Sequence, residues 1–169
     1  MSRFASECTL VSNVDAVDPT LLFYKNRWWL FCTRADKPST DLYIYFADDL
    51  KGPFREHGNN PVKTDIRSAR PAGKIFEFGE KLIRPAQHSA RHYGTHIELF
   101  RIVELSEQAY REEYFKSIYP DKRSAYRKGL HTINGLGDYT FIDGKRFVFN
   151  WPNFMNRIKE KTVNLFTRR

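Results

Sequence analysis

An all-β fold is what this sequence predicts, and three observations carry the prediction. Aromatic residues make up 15% of the chain, with Phe and Tyr dominant, a usage that favours strands over helices. Apolar runs come in pairs around turn residues: LLFYKNRWWLF, KIFEFGEKLIR and YTFIDGKRFVF. Their turn centres, at Asn26, Gly79 and Gly144, recur every ~50–65 residues with roughly four strand candidates per repeat. Small sheets that are apolar on both faces and repeat at that period are what β-propeller blades produce, because each sheet packs between two neighbours. A β-sandwich built from similar hairpins is the rival architecture.

In chain order, residues 1 to 17 are weakly patterned, with a short strand candidate at Cys8 to Val11. Leu21 to Tyr24 and Trp28 to Thr33 flank a Lys25-Asn26-Arg27 turn and form a hairpin whose strands are apolar on both faces. After the loop RADKPST, Asp41 to Ala47 is the next strand, and Phe54 to His57 a short outer one before the Asn59-Asn60-Pro61 break. Lys74 to Phe78 and Lys81 to Arg84 are joined by Gly79-Glu80, where glycine supplies the positive φ of a tight turn. In the strand expected over Thr95 to Leu105, alternation puts Ile97, Leu99 and Val103 on one face and His96, Glu98 and Phe100 on the other. Residues 106 to 130 are highly charged and read as a surface excursion with a short helix. Asp138 to Ile142 and Lys145 to Asn150 form a third hairpin around Asp143-Gly144. The chain thus divides into a β-domain over 1–150 and a basic tail over 151–169, with a helix starting near Asn153.

With 41% hydrophobic residues in 169, one domain with a real core is expected. A net charge of +8 favours anionic partners, but Lys and Arg are spread along the chain, so nucleic acid is not indicated. Cys8 and Cys32 form no CxxC pair, and the N-terminus holds no apolar run long enough for a signal peptide. These features read as reduced thiols in a cytoplasmic chain. No segment approaches the ~20 apolar residues of a membrane span. GxSxG, GxGxxG, P-loop and HExxH motifs are all missing, so no cofactor is expected.

Candidate site residues gather around the two Arg-Pro-Ala tripeptides. Arg70 and Arg84 fall near the open ends of the central hairpin, where a guanidinium is a planar fork for carboxylate, phosphate or sugar oxygens. Pairing with structural carboxylates is the equal alternative. Asp18, ahead of Pro19 at the start of an apolar strand, offers a carboxylate to the same end of the sheets, or serves as a turn acceptor. Asp65, Arg67 and Arg70 form either a polar rim or a salt-bridged loop. Gln87, His88 and Tyr93 flank the end of the hairpin and can hydrogen-bond sugar hydroxyls, and His131 precedes a glycine turn. Asp18, Arg70, Arg84, Gln87 and Tyr93 are expected to converge on one polar depression. His88, His92 and His96 repeat every four residues, a metal face only on a helix, and Tyr93-Gly94 argues against one, so no metal is expected. Trp28 and Trp29 point to opposite faces and read as core.

DPTLLFYKNRWWLFCT, the Gly52-Pro53-Phe54 turn with His57 and Asn60-Pro61-Val62, ARPAG, LIRPAQ, Tyr93-Gly94 and Tyr110-Arg111-Glu112 together resemble the propeller domain at the N-terminus of glucosamine inositolphosphorylceramide transferases. That domain is similar to the five-bladed propellers of glycoside hydrolase family 43. The resemblance spans roughly residues 16 to 150 and is most specific over 52 to 113. It implies a partial five-bladed β-propeller, about two to three blades, with a sugar or glycolipid head group, anionic or not, at the axial funnel. It also implies missing blades. The segment expected to carry the general-acid Glu of the hydrolase pattern is not matched, so no catalytic set transfers, and the two carboxyls ~6.5–9.5 Å apart that inversion requires cannot be assigned. The chain is then a fragment, a shortened binding relative, or a unit that completes its ring by self-association. Two function classes follow: a carbohydrate-active or carbohydrate-binding propeller, or a non-enzymatic basic β-module for an anionic partner such as nucleic acid. The lack of an aromatic-plus-basic RNA-binding motif favours the first.

Overall fold

A computed structural model describes residues 8–148. All regular structure among them is β, in antiparallel sheets. The first sheet runs in the order β1 (Ala16–Tyr24), β2 (Arg27–Arg34), β3 (Asp41–Ala47), β4 (Arg55–Glu56), and β5 (Lys63–Thr64) pairs with the start of β3. The β1–β2 turn places both Lys25 and Asn26 at positive φ, 51° and 60°, the twist-matched two-residue connection that Asn tolerates. The second sheet is a meander of β6 (Phe76–Phe78), β7 (Lys81–His88), β8 (His96–Leu105) and β9 (Tyr110–Ile118), turned at Gly79 with φ 60°. A separate hairpin pairs β10 (Ile133–Leu136) with β11 (Tyr139–Ile142).

Burial on both faces explains the near-continuous apolar strands. Trp29, Phe31, Leu42, Ile44 and Phe46 of the first sheet meet Leu82 and Leu105 of the second, with Ala69 and Ile75 between them. The opposite face of the first sheet buries Leu30, Cys32 and Tyr45 under Val11, Val14 and Phe54. The opposite face of the second buries Ile83, Ile97 and Leu99 under Ala72, Leu130 and Ile133. Each of these two sheets is thus a filled layer, and each fully buried Leu or Ile contributes roughly 1.5–3 kcal/mol. Asn60 ties the first sheet off: its side-chain amide donates to the Ile44 carbonyl at 2.8 Å and accepts from the Ile44 N–H at 2.9 Å, in place of a further strand.

Four local expectations are corrected. The third hairpin turns at Gly137-Asp138 rather than at Asp143-Gly144. Asp143 instead accepts the backbone N–H groups of His131 and Thr132, at 2.9 and 2.7 Å, so its carboxylate serves the preceding loop. The charged excursion contains no helix among the described residues; its start is the edge strand β9, where Arg101, Arg111 and Glu113 pair on the exposed side and discourage further strand addition. Cys8 to Val11 is not a strand. The shift at Ile102/Glu104 leaves Val103 as an extra residue of β8, so Ile102 and Leu105 both pack on the core between the sheets, opposite Ile97 and Leu99, and Val103 does not extend the face of that pair. The helix expected near Asn153 lies outside the described residues.

Candidate functional site

Asp18 sits at a bulge in β1, between Val17 and Thr20, with a left-handed φ of 50° immediately before Pro19. A non-glycine residue held there costs roughly 1–3 kcal/mol, strain that characteristically gathers at functional positions. The surroundings hold it in place. Its Oδ2 accepts from Arg70 Nε at 2.7 Å and from Gln87 Nε2 at 2.8 Å, while the Gln87 amide also donates to the Pro71 carbonyl at 2.8 Å. Both bonds to Asp18 use one oxygen, and the side chain remains 37% exposed, so Oδ1 keeps its acceptor capacity toward solvent.

The Arg70 guanidinium lies 4.8 Å from the centroid of the Tyr93 ring, a cation–π contact. Tyr93 in turn meets the His131 ring edge-on at 5.2 Å, and His131 Nδ1 is paired with Asp143. Gly94, at φ 66°, permits this approach, because a Cβ there would lie 2.9 Å from the His131 Cβ. Gly73 does the same on the other side: its Cβ would fall 2.0 Å from the Ile133 carbonyl oxygen, where Ile133 N–H bonds the Ala72 carbonyl at 2.8 Å. The result is a polar cluster drawn from β1, the loop before β6, β7, the β7–β8 loop and the segment before β10. Asp18 faces a cleft of about 350 Å³ lined also by Thr20, Lys74, Thr132 and Asn134. Tyr93 and His131 line a smaller one of about 230 Å³.

The structure therefore brings together Asp18, Arg70, Gln87, Tyr93 and His131. Arg84 and Arg67 go elsewhere. Arg84, 1% exposed, leaves β7 on the face opposite Gln87 and forks onto Glu112, with both bonds at 2.7 Å, while also donating to the Ser68 carbonyl at 2.7 Å. Lys63 and Tyr110 complete this buried network on Glu112. Burial alone would raise the Glu112 pKa, but the charge and hydrogen bonds of Arg84, with those of Lys63, outweigh it and hold the carboxyl at about 2. Arg84 is thus a structural ion-pair partner, not a ligand fork. Arg67 is exposed and pairs with Asp65 at 3.0 Å, the salt-bridged loop of the two alternatives. Gln87 is fully buried, so it positions Asp18 from beneath instead of reaching a ligand.

Lys74, Thr132, Asn134 and Asp143 complete the surroundings and were not singled out from sequence. Asn134 Oδ1 accepts the Lys74 N–H at 2.9 Å across 60 residues, a contact no local pattern announces. His88 and His96 are register partners on β7 and β8, and with Glu98 they offer ligand atoms within 4.8 Å of one another. Their rings, however, stack at 4.2 Å and 21°. Imidazole lone pairs lie in the ring plane, so near-parallel stacked rings cannot both aim at one ion without turning.

Fold and site together define an all-β domain with a strained, part-exposed carboxylate at the end of its sheets. The sequence profile described as "Glucosamine inositolphosphorylceramide transferase 1, N-terminal" matches residues 6–147, and the chain belongs to that family. It is 31% identical over 120 residues to Glucosamine inositolphosphorylceramide transferase 1 of Oryza sativa subsp. japonica, covering 66% of this chain and 16% of the rice protein. To the protein of the same name from Arabidopsis thaliana it is 29% identical over 131 residues, covering 74% of this chain and 17% of the relative. The match thus spans about a sixth of the length of these relatives.

Proposed function

We propose that this chain is a carbohydrate-recognising unit of a β-propeller, binding a sugar or glycolipid head group at Asp18, Arg70, Tyr93 and His131. The observation that carries the reading is Asp18: a carboxylate in a strained conformation, oriented by Arg70 and by the buried Gln87, with one oxygen uncommitted and open to a cleft. A preset acceptor beside a guanidinium, a phenol and an imidazole suits the directional hydrogen bonds that hold sugars. The names of the relatives, transferases of glucosamine and inositolphosphorylceramide, support a carbohydrate or glycolipid ligand over a nucleic acid. The two stacked meander sheets support the blade reading.

Recognition is favoured over hydrolysis. Among the described residues lining the two clefts the only carboxylates are Asp18 and Asp143, and Asp143 already accepts two backbone N–H groups and pairs with His131. Hydrolysis at an anomeric centre needs two carboxyl groups free to exchange protons or attack.

A glycan panel, run beside heparin and single-stranded DNA at two salt concentrations, tests the reading. Binding to particular glycans with weak salt dependence is expected. A sugar-indifferent response that collapses with salt would replace the reading with a polyanion-binding module. For a glycan so identified, Arg70→Ala should weaken binding by about 1.5–3 kcal/mol. Arg70→Lys should not restore it, since a point charge cannot reproduce the planar fork or its stacking on Tyr93.

A further inference from the structure

A third cleft, of about 890 Å³, opens beside the end of β7 and the start of β8. Its chemistry differs from that of the Asp18 site. Arg91, Lys122, Arg127 and Lys128 surround it, and no Asp or Glu is among its described lining residues. All four cations are exposed, and among the described residues none forms a salt bridge; the Lys128 ammonium lies 5.5 Å from the Phe147 ring. Four like charges around one concavity repel one another and concentrate anions there.

The wall of this cleft supplies a second, independent observation. His96 lines it, with a side chain only 9% exposed, and its Nε2 is bonded to Glu98 Oε1 at 2.7 Å. Glu98 is fixed in turn by Ser117 at 2.7 Å. His96 Nδ1 is buried without a hydrogen-bond partner among the described residues, as is Nδ1 of His88, whose ring stacks on it. Tyr119 stacks on the other side of His96 at 4.5 Å and completes a column of three rings at the cleft. Unpartnered buried polar atoms are uncommon in native proteins and call for a ligand or water. His88 makes no side-chain hydrogen bond among the described residues, so its neutral ring can carry the proton on Nδ1 and offer a donor to an anionic acceptor.

We propose that this cleft is a phosphate-binding subsite that takes a phosphate ester, with Arg91, Lys122, Arg127 and Lys128 neutralising the anion and the stacked His88–His96 pair lining its wall. Forked guanidinium contacts from Arg91 and Arg127 suit phosphate oxygens, and lysines add point charge. The proposal stands on this cleft alone and does not require that the Asp18 cluster bind sugar.

The test is calorimetric titration of the whole chain with inorganic phosphate, followed by glycerol phosphate, vesicles containing phosphatidylinositol and single-stranded DNA. Saturable phosphate binding is expected, with ring signals of His88 and His96 shifting in NMR spectra as the site fills. Because the four cations are exposed, their replacement should leave the fold intact. Arg127→Ala/Lys128→Ala should weaken phosphate binding roughly tenfold or more, and Lys122→Glu should weaken it further, while Arg55→Ala, on β4, should not. Competition by glycerol phosphate would make the source a small-molecule ester, and competition by the vesicles a lipid head group; both uphold the subsite. Unchanged affinity in Arg127→Ala/Lys128→Ala, phosphate-insensitive histidine signals, competition by DNA alone, or zinc binding at the histidine pair that phosphate does not affect would each overturn it.

Discussion

Glu112 illustrates how much of this molecule depends on single side chains that sequence cannot pair. Nothing in LIRPAQ distinguishes a ligand-binding arginine from one committed to a carboxylate 28 residues later. The difference is set by the face of β7 from which Arg84 leaves and by a β9 that local pattern did not reveal. Arg70 carries the same tripeptide and has the other fate, because Asp18, held at a β1 bulge, lies within 2.7 Å of it. Asp18, Arg70, Gln87 and Tyr93 were legible as neighbours because hairpin ends bring them to one end of the sheets; Lys74, Asn134 and Asp143 were not, because their contacts cross between separate layers. The Arg84–Glu112 pair carries two predictions. Glu112→Ala leaves a buried guanidinium with only Tyr110 and backbone carbonyls, and should cost about 3–5 kcal/mol in urea denaturation, whereas Arg84→Met/Glu112→Leu should cost far less. The Glu112 carboxyl drops from an ordinary 4.5 to about 2 on folding, so the unfolded chain binds that proton more tightly. Its contribution is complete above about pH 4.5 and is lost as pH falls through about 2. Urea midpoints measured across this window should fall less steeply with acid in Glu112→Gln than in the wild type.

At the scale of elements, β3 and the first two hairpins were readable because continuous apolar runs meet turn residues that must take positive φ. The third hairpin was misplaced for a physical reason. Asp-Gly and Gly-Asp signals occur six residues apart, and the Asp143 carboxylate is worth more as an acceptor for two loop N–H groups than as a turn residue. Strand β9 escaped because edge strands carry charge by necessity. The seating of the β10 hairpin on the second sheet depends on Gly73, which combines a φ of 123° with no room for a Cβ. Gly73→Ala should therefore destabilise the protein by roughly 1–3 kcal/mol. Hydrogen exchange at the Ile133 and Lys74 amides should quicken, since their partners are the Ala72 carbonyl and the Asn134 side chain. Unchanged exchange at both amides would show that the hairpin is held by other contacts.

For the whole molecule, two filled layers are followed by a hairpin that nothing covers among the described residues. Leu136, Tyr139, Phe141 and Ile142 are between 46% and 74% exposed, more contiguous apolar surface than a soluble monomer ordinarily leaves open. The expectation is concentration-dependent self-association through this hairpin. Sedimentation should show a rising average mass with concentration, and Tyr139→Lys/Phe141→Lys should abolish the rise; a single monomeric species over a wide range would count against it. The central claim, that the Asp18 cluster is a carbohydrate site, is tested most directly by saturation-transfer NMR with a glycan selected from the panel, on the wild type and on Asp18→Asn. Asn at 18 keeps the size and the tolerance for a left-handed backbone but loses the charge that orients Arg70. The account predicts transfer from Tyr93 and His131 to the sugar in the wild type and at least about a tenfold loss of affinity in the variant. Equal affinity in both proteins, or transfer that bypasses Tyr93 and His131, would contradict it.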